Sequence, residues 1–137
     1  MKEEMGPVAL VEPHDSHIRQ IVVTPGLSVT LDFDRLNVYH CIRPEVHQVW
    51  SYRATLTLTG VARFFLQSLL ESNDYVDDAV VFTGLDEAPW IELLTLQQAS
   101  RVSVTFGNGA TLSVDCVTAH LTLQTDAKYL EDFCGPL

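Results

Sequence analysis

Residues 101–114 read RVSVTFGNGATLSV, and this stretch decides the fold of the chain. An Asn-Gly pair between alternating apolar residues is the strongest short-range signal of a β-hairpin. If residues 107–109 form a three-residue loop, Val104 faces Leu112 and the apolar residues share one face of the hairpin. A two-residue turn at Asn108-Gly109 would place polar residues opposite apolar ones, and burial selects against that register. The sequence therefore predicts an antiparallel hairpin with the longer loop.

The same alternation of apolar and polar residues recurs upstream of the hairpin. It runs through residues 27–33, continues through residues 36–42, and is longest in residues 50–58, whose other face carries several threonines. A threonine-rich face is typical of the solvated side of a β-sheet. Seven or more short strands without the alternation of strand and helix that marks βαβ units indicate a mainly β fold. We therefore expect an antiparallel β-sandwich or flattened barrel with one or two short helices.

Four segments are less clear. Residues 60–70 fit both a helical stripe and a strand, and we favour a strand across the glycine at position 60 followed by a short helical or irregular stretch. Residues 90–97 also fit either element, and the short spacing to the hairpin favours a strand. Residues 126–133 are predicted to form a short helix capped by an aspartate, and residues 1–13 a tail or an edge segment.

The apolar face changes phase within the strand that follows the hairpin. Leu112 and Cys116 lie on one face by parity, whereas Ala119 and Leu121 have the opposite parity. Either both faces are buried there, or a β-bulge lies near Cys116-Val117.

Length and composition fit one globular domain spanning residues 1–137, with 47% apolar and 19% charged residues. No apolar run approaches the about 20 residues of a membrane span, and the first residues lack the apolar segment of a secretory signal. Cys41, Cys116 and Cys134 are far apart and show no Cys-x-x-Cys spacing. We therefore expect a cytoplasmic protein.

The net charge is the feature of the composition that bears on partners. Eighteen Asp and Glu residues against eight Lys and Arg residues give −10 at pH 7. Such a charge repels nucleic acid and anionic membranes, and it speeds the encounter with a basic partner. We therefore expect neither nucleic acid nor membrane as a partner. An acidic balance that only maintains solubility is the alternative.

The run His14-Asp15-Ser16-His17 contains the residue types of a hydrolase triad and of a metal site. Adjacent residues do not form a triad, because the groups must converge from different directions. His-x-x-His spacing could supply metal ligands only if the fold brought other histidines close. A polar turn before the first strand explains the run better.

No other motif points to catalysis. The carboxylate pairs fall in polar runs rather than apolar pockets, and phosphate-binding or dinucleotide-binding glycines are missing. His40 and His120 share faces with apolar neighbours, so we expect each to be buried or half-buried and satisfied by a hydrogen bond. The sequence predicts no catalytic residue, no metal site and no cofactor.

A recognition surface is the remaining candidate. Residues 71–78 and 84–89 are acidic and are predicted to be loops, with two aromatic residues nearby. Acids can steer a basic partner while an aromatic side chain anchors it. The predicted partner-binding residues are Glu71, Asp74, Tyr75, Asp77, Asp78, Asp86, Glu87 and Trp90.

Four segments of the chain resemble known proteins. The stretch His14-Asp15-Ser16-His17-Ile18, followed by LSVTLD at residues 27–32, resembles the opening of several small bacterial all-β families. Residues 56–61 and the hairpin at 106–116 are similar to later parts of their pattern. Some of these families are placed among immunity proteins, which bind and block a cognate bacterial toxin, so the resemblance implies an all-β inhibitor without catalytic residues.

Three hypotheses follow. The first is a non-enzymatic protein-binding module, such as an immunity-type inhibitor of a basic toxin. The alternative is a small-molecule-binding sandwich or barrel with a His-lined cavity, for which His40, His120 and Arg53 are candidates. The third is a homodimer that pairs through a sheet edge.

Overall fold

A computed structural model describes residues 6–24, 28–67, 76–83, 86–94, 98–107, 110–124 and 126–137. The strands of these residues are β1 (Val8–Thr24), β2 (Ser28–Arg43), β3 (Val46–Thr59), β4 (Arg63–Gln67), β5 (Val76–Thr83), β6 (Asp86–Ala88), β7 (Gln98–Phe106), β8 (Thr111–Leu123) and β9 (Lys128–Cys134). A 3₁₀ helix spans Trp90–Leu94. No helix in the described ranges is long and apolar enough to cross a membrane.

The central hairpin forms in the predicted register. Val104 pairs with Leu112, and all the cross-strand pairs from Arg101 to Thr105 keep that register. The backbone N–H of Phe106 donates to the carbonyl oxygen of Ala110 at 2.8 Å, which closes a three-residue loop. The apolar face selected this register, since a slip by one residue would expose it.

All the strands belong to one antiparallel sheet, so the prediction of a mainly β fold is confirmed. The strand order is β1-β2-β3-β8-β7-β5-β6, while β4 pairs with β8 and β9 pairs with β3. The sheet curls into a half-barrel, so that β1 packs against β5 from the other half of the sheet. Such curling buries the concave face without a second sheet.

The predicted β-bulge lies in β8 and helps the sheet to curl. Cys116 pairs with Ser100, but Ala119 pairs with Gln98, so β8 has one residue more than β7 over this interval. Val117 is exposed, and its N–H donates to the carbonyl oxygen of Gly60 at 3.2 Å. Before the bulge β8 pairs with β4, and after it β8 pairs with β3. A bulge bends a strand, which allows this change of neighbour.

The core fills the concave face. Its buried residues come from β1, β2, β3, β7, β8 and the 3₁₀ helix, and the largest fully buried side chains are Leu31, Leu36, Leu56, Leu58, Leu93, Leu112 and Leu121. The prediction of a strand at residues 90–97 is wrong for residues 90–94. Three residues per 3₁₀ turn place Trp90 and Leu93 on one side of the helix, where both are buried.

The predicted helix at residues 126–133 is also wrong. Residues 128–134 form β9, which pairs with Val46–Ser51 of β3. The ring of Phe133 contacts Tyr39 edge-on, and the ring of Tyr129 contacts Trp50, with centroids 5.7 and 5.6 Å apart. This half of β3 extends beyond β8, so its backbone N–H and C=O groups are available to pair with the tail. The resulting hydrogen bonds outweigh the local helix propensity of residues 126–133.

The first strand begins earlier than the sequence indicates. Residues 8–13 belong to β1, which lies at one end of the sheet order. The run at residues 14–17 is therefore not a turn before the first strand but an irregularity inside it, with a register shift between Glu12 and His17 and a φ of 62° at Asp15. Aspartate is one of the few residues that tolerate this left-handed conformation.

The segment from residue 60 contains a strand, but that strand does not cross Gly60, because β3 ends at Thr59 and β4 begins at Arg63. Gly60 has a φ of 62°, and a Cβ atom there would lie 2.6 Å from Cγ2 of Val117. Residues 63–67 form β4, so the strand predicted beyond Gly60 is confirmed there, and no helical stretch begins before residue 68. The rest of that prediction, at residues 68–70, lies outside the described residues.

The turn between β2 and β3 provides a stability test. Arg43 pairs with Val46, and between them Pro44 precedes Glu45, whose φ is 63°. This is the arrangement of a type II turn, in which glycine is preferred at the second central position. We expect Glu45→Gly to raise the free energy of unfolding by about 0.5–1 kcal/mol, since the cost of the left-handed conformation exceeds the extra chain entropy of glycine.

Urea denaturation of Glu45→Gly and Glu45→Ala tests this expectation. The alanine variant loses the same carboxylate but keeps a Cβ atom, so it should show no gain. Equal stabilities of the two variants would contradict the turn assignment.

Candidate functional site

Part of the predicted partner-binding surface lies on the last two strands of the sheet order. Asp77 and Asp78 belong to β5, and Asp86 and Glu87 belong to β6. Glu87 is exposed and pairs with Phe82 of β5. The strand β6 ends the sheet order, so these acids lie at a sheet margin. We call β5, β6 and these four acids the acidic edge.

The prediction that these acids lie in loops is wrong for residues 76–78 and 86–88. Both segments are strands, and a register shift between Val76 and Asp78 shows that Asp77 lies at a β-bulge. Acidic residues are compatible with strands at a sheet margin, where charge opposes unwanted strand pairing. The remaining predicted residues, Glu71, Asp74 and Tyr75, lie outside the described residues.

Trp90 is a core residue. Its side chain is 4% exposed, and its ring meets Phe33 edge-on with centroids 5.9 Å apart. The adjacent Leu93 is fully buried on the same side of the 3₁₀ helix. Burial of the indole in this position closes the concave face of the sheet, so Trp90 is not available as a surface anchor in this conformation.

The acids of the chain are unevenly distributed. From residue 64 to residue 100 the sequence contains seven Asp and Glu residues and no Lys or Arg. These seven are Glu71, Asp74, Asp77, Asp78, Asp86, Glu87 and Glu92. With no base in this segment, it contributes −7 of the net charge of −10. The acidic edge contains the acids of this segment that the structure describes in strands.

His40 is a structural residue, as predicted. Its side chain is buried, its Nδ1 lies 2.7 Å from the carbonyl oxygen of Gly6, and its Nε2 lies 2.6 Å from the hydroxyl of Tyr52. A carbonyl only accepts, so Nδ1 carries a proton and donates to Gly6, while Nε2 forms its hydrogen bond with the Tyr52 hydroxyl. Burial raises the pKa of the Tyr52 hydroxyl. A Cβ atom on Gly6 would lie 1.7 Å from the carbonyl oxygen of Cys41, so the segment before β1 fits closely here.

The other histidines do not converge on a site. His17 Nδ1 lies 2.6 Å from Asp34, and exposed His14 lies 3.5 Å from Asp15. His120 is half-buried, and its Nδ1 has no hydrogen-bond partner within the described ranges, so only part of its prediction is met. The described residues contain no group of three or more His, Cys, Asp or Glu side chains placed to hold a metal ion.

A polar cleft of about 400 Å³ lies over the interior of β2 and β3, beside Arg19 of β1 and the residues that follow β8. Its walls include Arg19, Arg53, Asp32 and Asp126, and Thr55 donates to Asp32 at 3.1 Å. Both arginines are exposed. Arg53 was one of the residues predicted for a small-molecule cavity, but no histidine lines this cleft. The cleft has the chemistry of a site for a small polar ligand.

Comparison of the chain with known protein families, with curated proteins and with solved structures gives no match. Its function is therefore inferred from its own charges, strands and sheet margins.

Proposed function

We propose that this chain is a non-enzymatic protein-binding module whose acidic edge binds a basic protein. The observation that carries the proposal is the segregation of charge, with seven acids and no base between residues 64 and 100. A patch of one sign steers an oppositely charged partner and raises the association rate.

The position of the acids at a sheet margin also supports this function. A terminal strand such as β6 offers backbone N–H and C=O groups to a partner strand. Glu87 is exposed next to these groups, so a basic segment could pair with the backbone and meet carboxylates at once. The same acids would discourage pairing with a neutral or acidic strand, which makes the margin selective.

An immunity-type inhibitor of a basic bacterial toxin, such as a nuclease, is the form of this function that the sequence resemblance favours. The acidic edge would cover the basic surface that such a toxin uses to bind its own anionic substrate. All three cysteines are free, as is usual in a reducing compartment, and we place the protein in the cytoplasm.

The experiment is capture of bound protein from the native host by three forms of the full chain. The first is the wild type, and the second is the acidic-edge variant D77N/D78N/D86N/E87Q. The third is the control variant D15N/E45Q/D126N/E131Q, which changes acids that are exposed elsewhere. Each variant removes four acids, so both change the net charge from −10 to −10 + 4 = −6.

We expect a stoichiometric basic protein on the wild type and on the control variant, released as salt rises, and its loss from the acidic-edge variant. Equal loss of the basic protein from the two variants would assign its binding to net charge alone. The absence of any basic protein from the wild type would contradict the proposal.

Small-molecule binding in the polar cleft is the second candidate, favoured by the two exposed arginines beside Asp32 and Asp126. Native mass spectrometry of protein purified without denaturation tests it. A bound small anion that is lost on Arg53→Gln would favour this function, and an unliganded mass with no protein captured at the acidic edge would leave neither function supported.

A further inference from the structure

Among the described strands, β1, β4, β6 and β9 each have an edge with which no other described strand pairs, as does β5 at residues 76–80, and these edges differ in how they are protected. Sheet edges are normally guarded by charges, prolines or bulges. The edge of β1 has its irregularity at Asp15, β6 contains Asp86 and Glu87, and β9 contains Lys128, Glu131 and Asp132. In β4 the only charged residue is Arg63, at its first position.

The unguarded strand is also strongly apolar on its surface. Phe64, Phe65 and Leu66 are consecutive, and they are 37%, 57% and 39% exposed. Phe64 and Leu66 pair with Val114 and Leu112, which are buried on the concave face of the sheet, whereas Phe65 lies on the opposite face. Large apolar side chains therefore line both faces of an open edge, an arrangement that soluble monomers avoid.

From these observations we infer that β4 is a homodimerisation edge, at which two copies of the chain pair antiparallel about a two-fold axis through Phe65. The sequence of β4 is self-complementary in this register. Phe65 faces Phe65 of the second copy, Phe64 faces Leu66, and Arg63 faces Gln67. No two like charges are opposed, and every apolar residue meets an apolar one.

The second copy fits this edge better than a basic partner does. Arg63 would repel a basic strand, and β4 contains no acid to attract one. A two-fold pairing is closed, because the same patch is used on both copies. The paired strands would extend the apolar concave layer, with Phe64 and Leu66 of one copy beside Leu66 and Phe64 of the other.

This interaction has a salt dependence opposite to that of the proposed function. Each chain carries −10, so two copies repel each other at long range, and screening weakens this repulsion. Dimerisation should therefore strengthen as salt rises, whereas capture of a basic partner should weaken. Failure of one proposal can thus be distinguished from failure of the other.

The first experiment is light scattering on the full chain across a dilution series in the micromolar range. We expect the wild type to shift from the 15.3 kDa chain mass towards twice that value as concentration rises. Phe65→Lys, which opposes two lysines across the axis, should remain monomeric. Leu130→Lys, at an exposed position of the β9 edge, should dimerise like the wild type.

A mixing experiment tests the register. Phe64→Glu and Leu66→Lys should each weaken the homodimer. The two-fold axis repeats each pair, so a charged residue faces an apolar residue at two places in the dimer of either variant. When the two variants are mixed, a heterodimer gains one opposite-charge pair and one Leu-Phe pair. The mixed variants should associate about two-fold to five-fold more tightly than either variant does alone, given the usual strength of cross-strand ion pairs.

A monomeric wild type at every concentration and salt would overturn the inference, as would a dimer that Phe65→Lys leaves intact. A dimer that dissociates in both single variants but does not recover on mixing would overturn the register. Circular dichroism of each variant confirms that it is folded, and the reversed pair Phe64→Lys and Leu66→Glu replaces Phe64→Glu and Leu66→Lys if either of these is not.

Discussion

Leu56→Ala is expected to lower the free energy of unfolding by about 2–5 kcal/mol, the usual cost of removing a fully buried leucine. Leu56 is 0% exposed and pairs directly with Leu121, which is 1% exposed. Both lie where β3 meets β8, and this ladder joins the β1-β2-β3 half of the sheet to the β8-β7-β5 half. A cavity here would weaken the packing between the two halves of the sheet and not only the packing of one strand.

Urea denaturation followed by circular dichroism measures the effect. Leu130→Ala is the matched control, because it makes the same change at a side chain that is 43% exposed. That variant should stay within about 0.5 kcal/mol of the wild type. A loss below about 1 kcal/mol for Leu56→Ala would show that the β3–β8 junction is not close-packed.

Tyr52→Phe is expected to cost about 1–3 kcal/mol at neutral pH, because it removes the hydroxyl that is hydrogen-bonded to the buried Nε2 of His40. The ring of phenylalanine fills the same space, so the cost reflects the lost hydrogen bond rather than a cavity. Tyr39→Phe is the control, since no hydrogen bond of the Tyr39 hydroxyl occurs within the described residues. Equal losses in the two variants at neutral pH would contradict the His40–Tyr52 interaction.

The same two variants also test the pH dependence of stability at alkaline pH. Burial raises the pKa of Tyr52, and burial together with Glu12 and Glu131 raises the pKa of Tyr39. A raised pKa means that the fold favours the protonated hydroxyl. This stability is fully present below the usual tyrosine pKa of 10.0 and is lost as pH rises through the folded value. Each variant should therefore lose less stability above pH 10 than the wild type does.

Features with a local cause could be predicted from the sequence. The register between Val104 and Leu112 follows from alternation and loop length, and the bulge near Cys116 follows from a change of parity. Burial of one face dictates both of them, whatever the rest of the chain does.

The errors in the fold arose where tertiary contacts outweigh local pattern. Residues 128–134 have the composition of a terminal helix, but the uncovered half of β3 takes them up as β9. Residues 90–94 form a 3₁₀ helix because Trp90 and Leu93 fill the open side of a curled sheet. Neither cause is visible without the curl of the sheet.

For the candidate site, the sequence indicates which acidic residues cluster but not that they lie on strands. The acids at 77, 78, 86 and 87 were identified from their charge, but their placement on strands depends on pairing with distant residues. The acidic neighbours of Trp90 in the sequence predict an anchor residue, whereas the structure buries its side chain in the core. The β4 edge was missed, although the run of Phe64, Phe65 and Leu66 was a signal for it, since a strand and a helical stripe explain that run equally well.

The most direct test of the acidic edge as a binding surface is the association rate of the captured basic protein. It would be measured by surface plasmon resonance over a series of salt concentrations for the wild type, the acidic-edge variant and the control variant. At low salt the acidic-edge variant should associate about tenfold or more slowly than the wild type, with a shallower salt dependence. The control variant should lie close to the wild type, whereas identical rates for the two variants would contradict the proposed function.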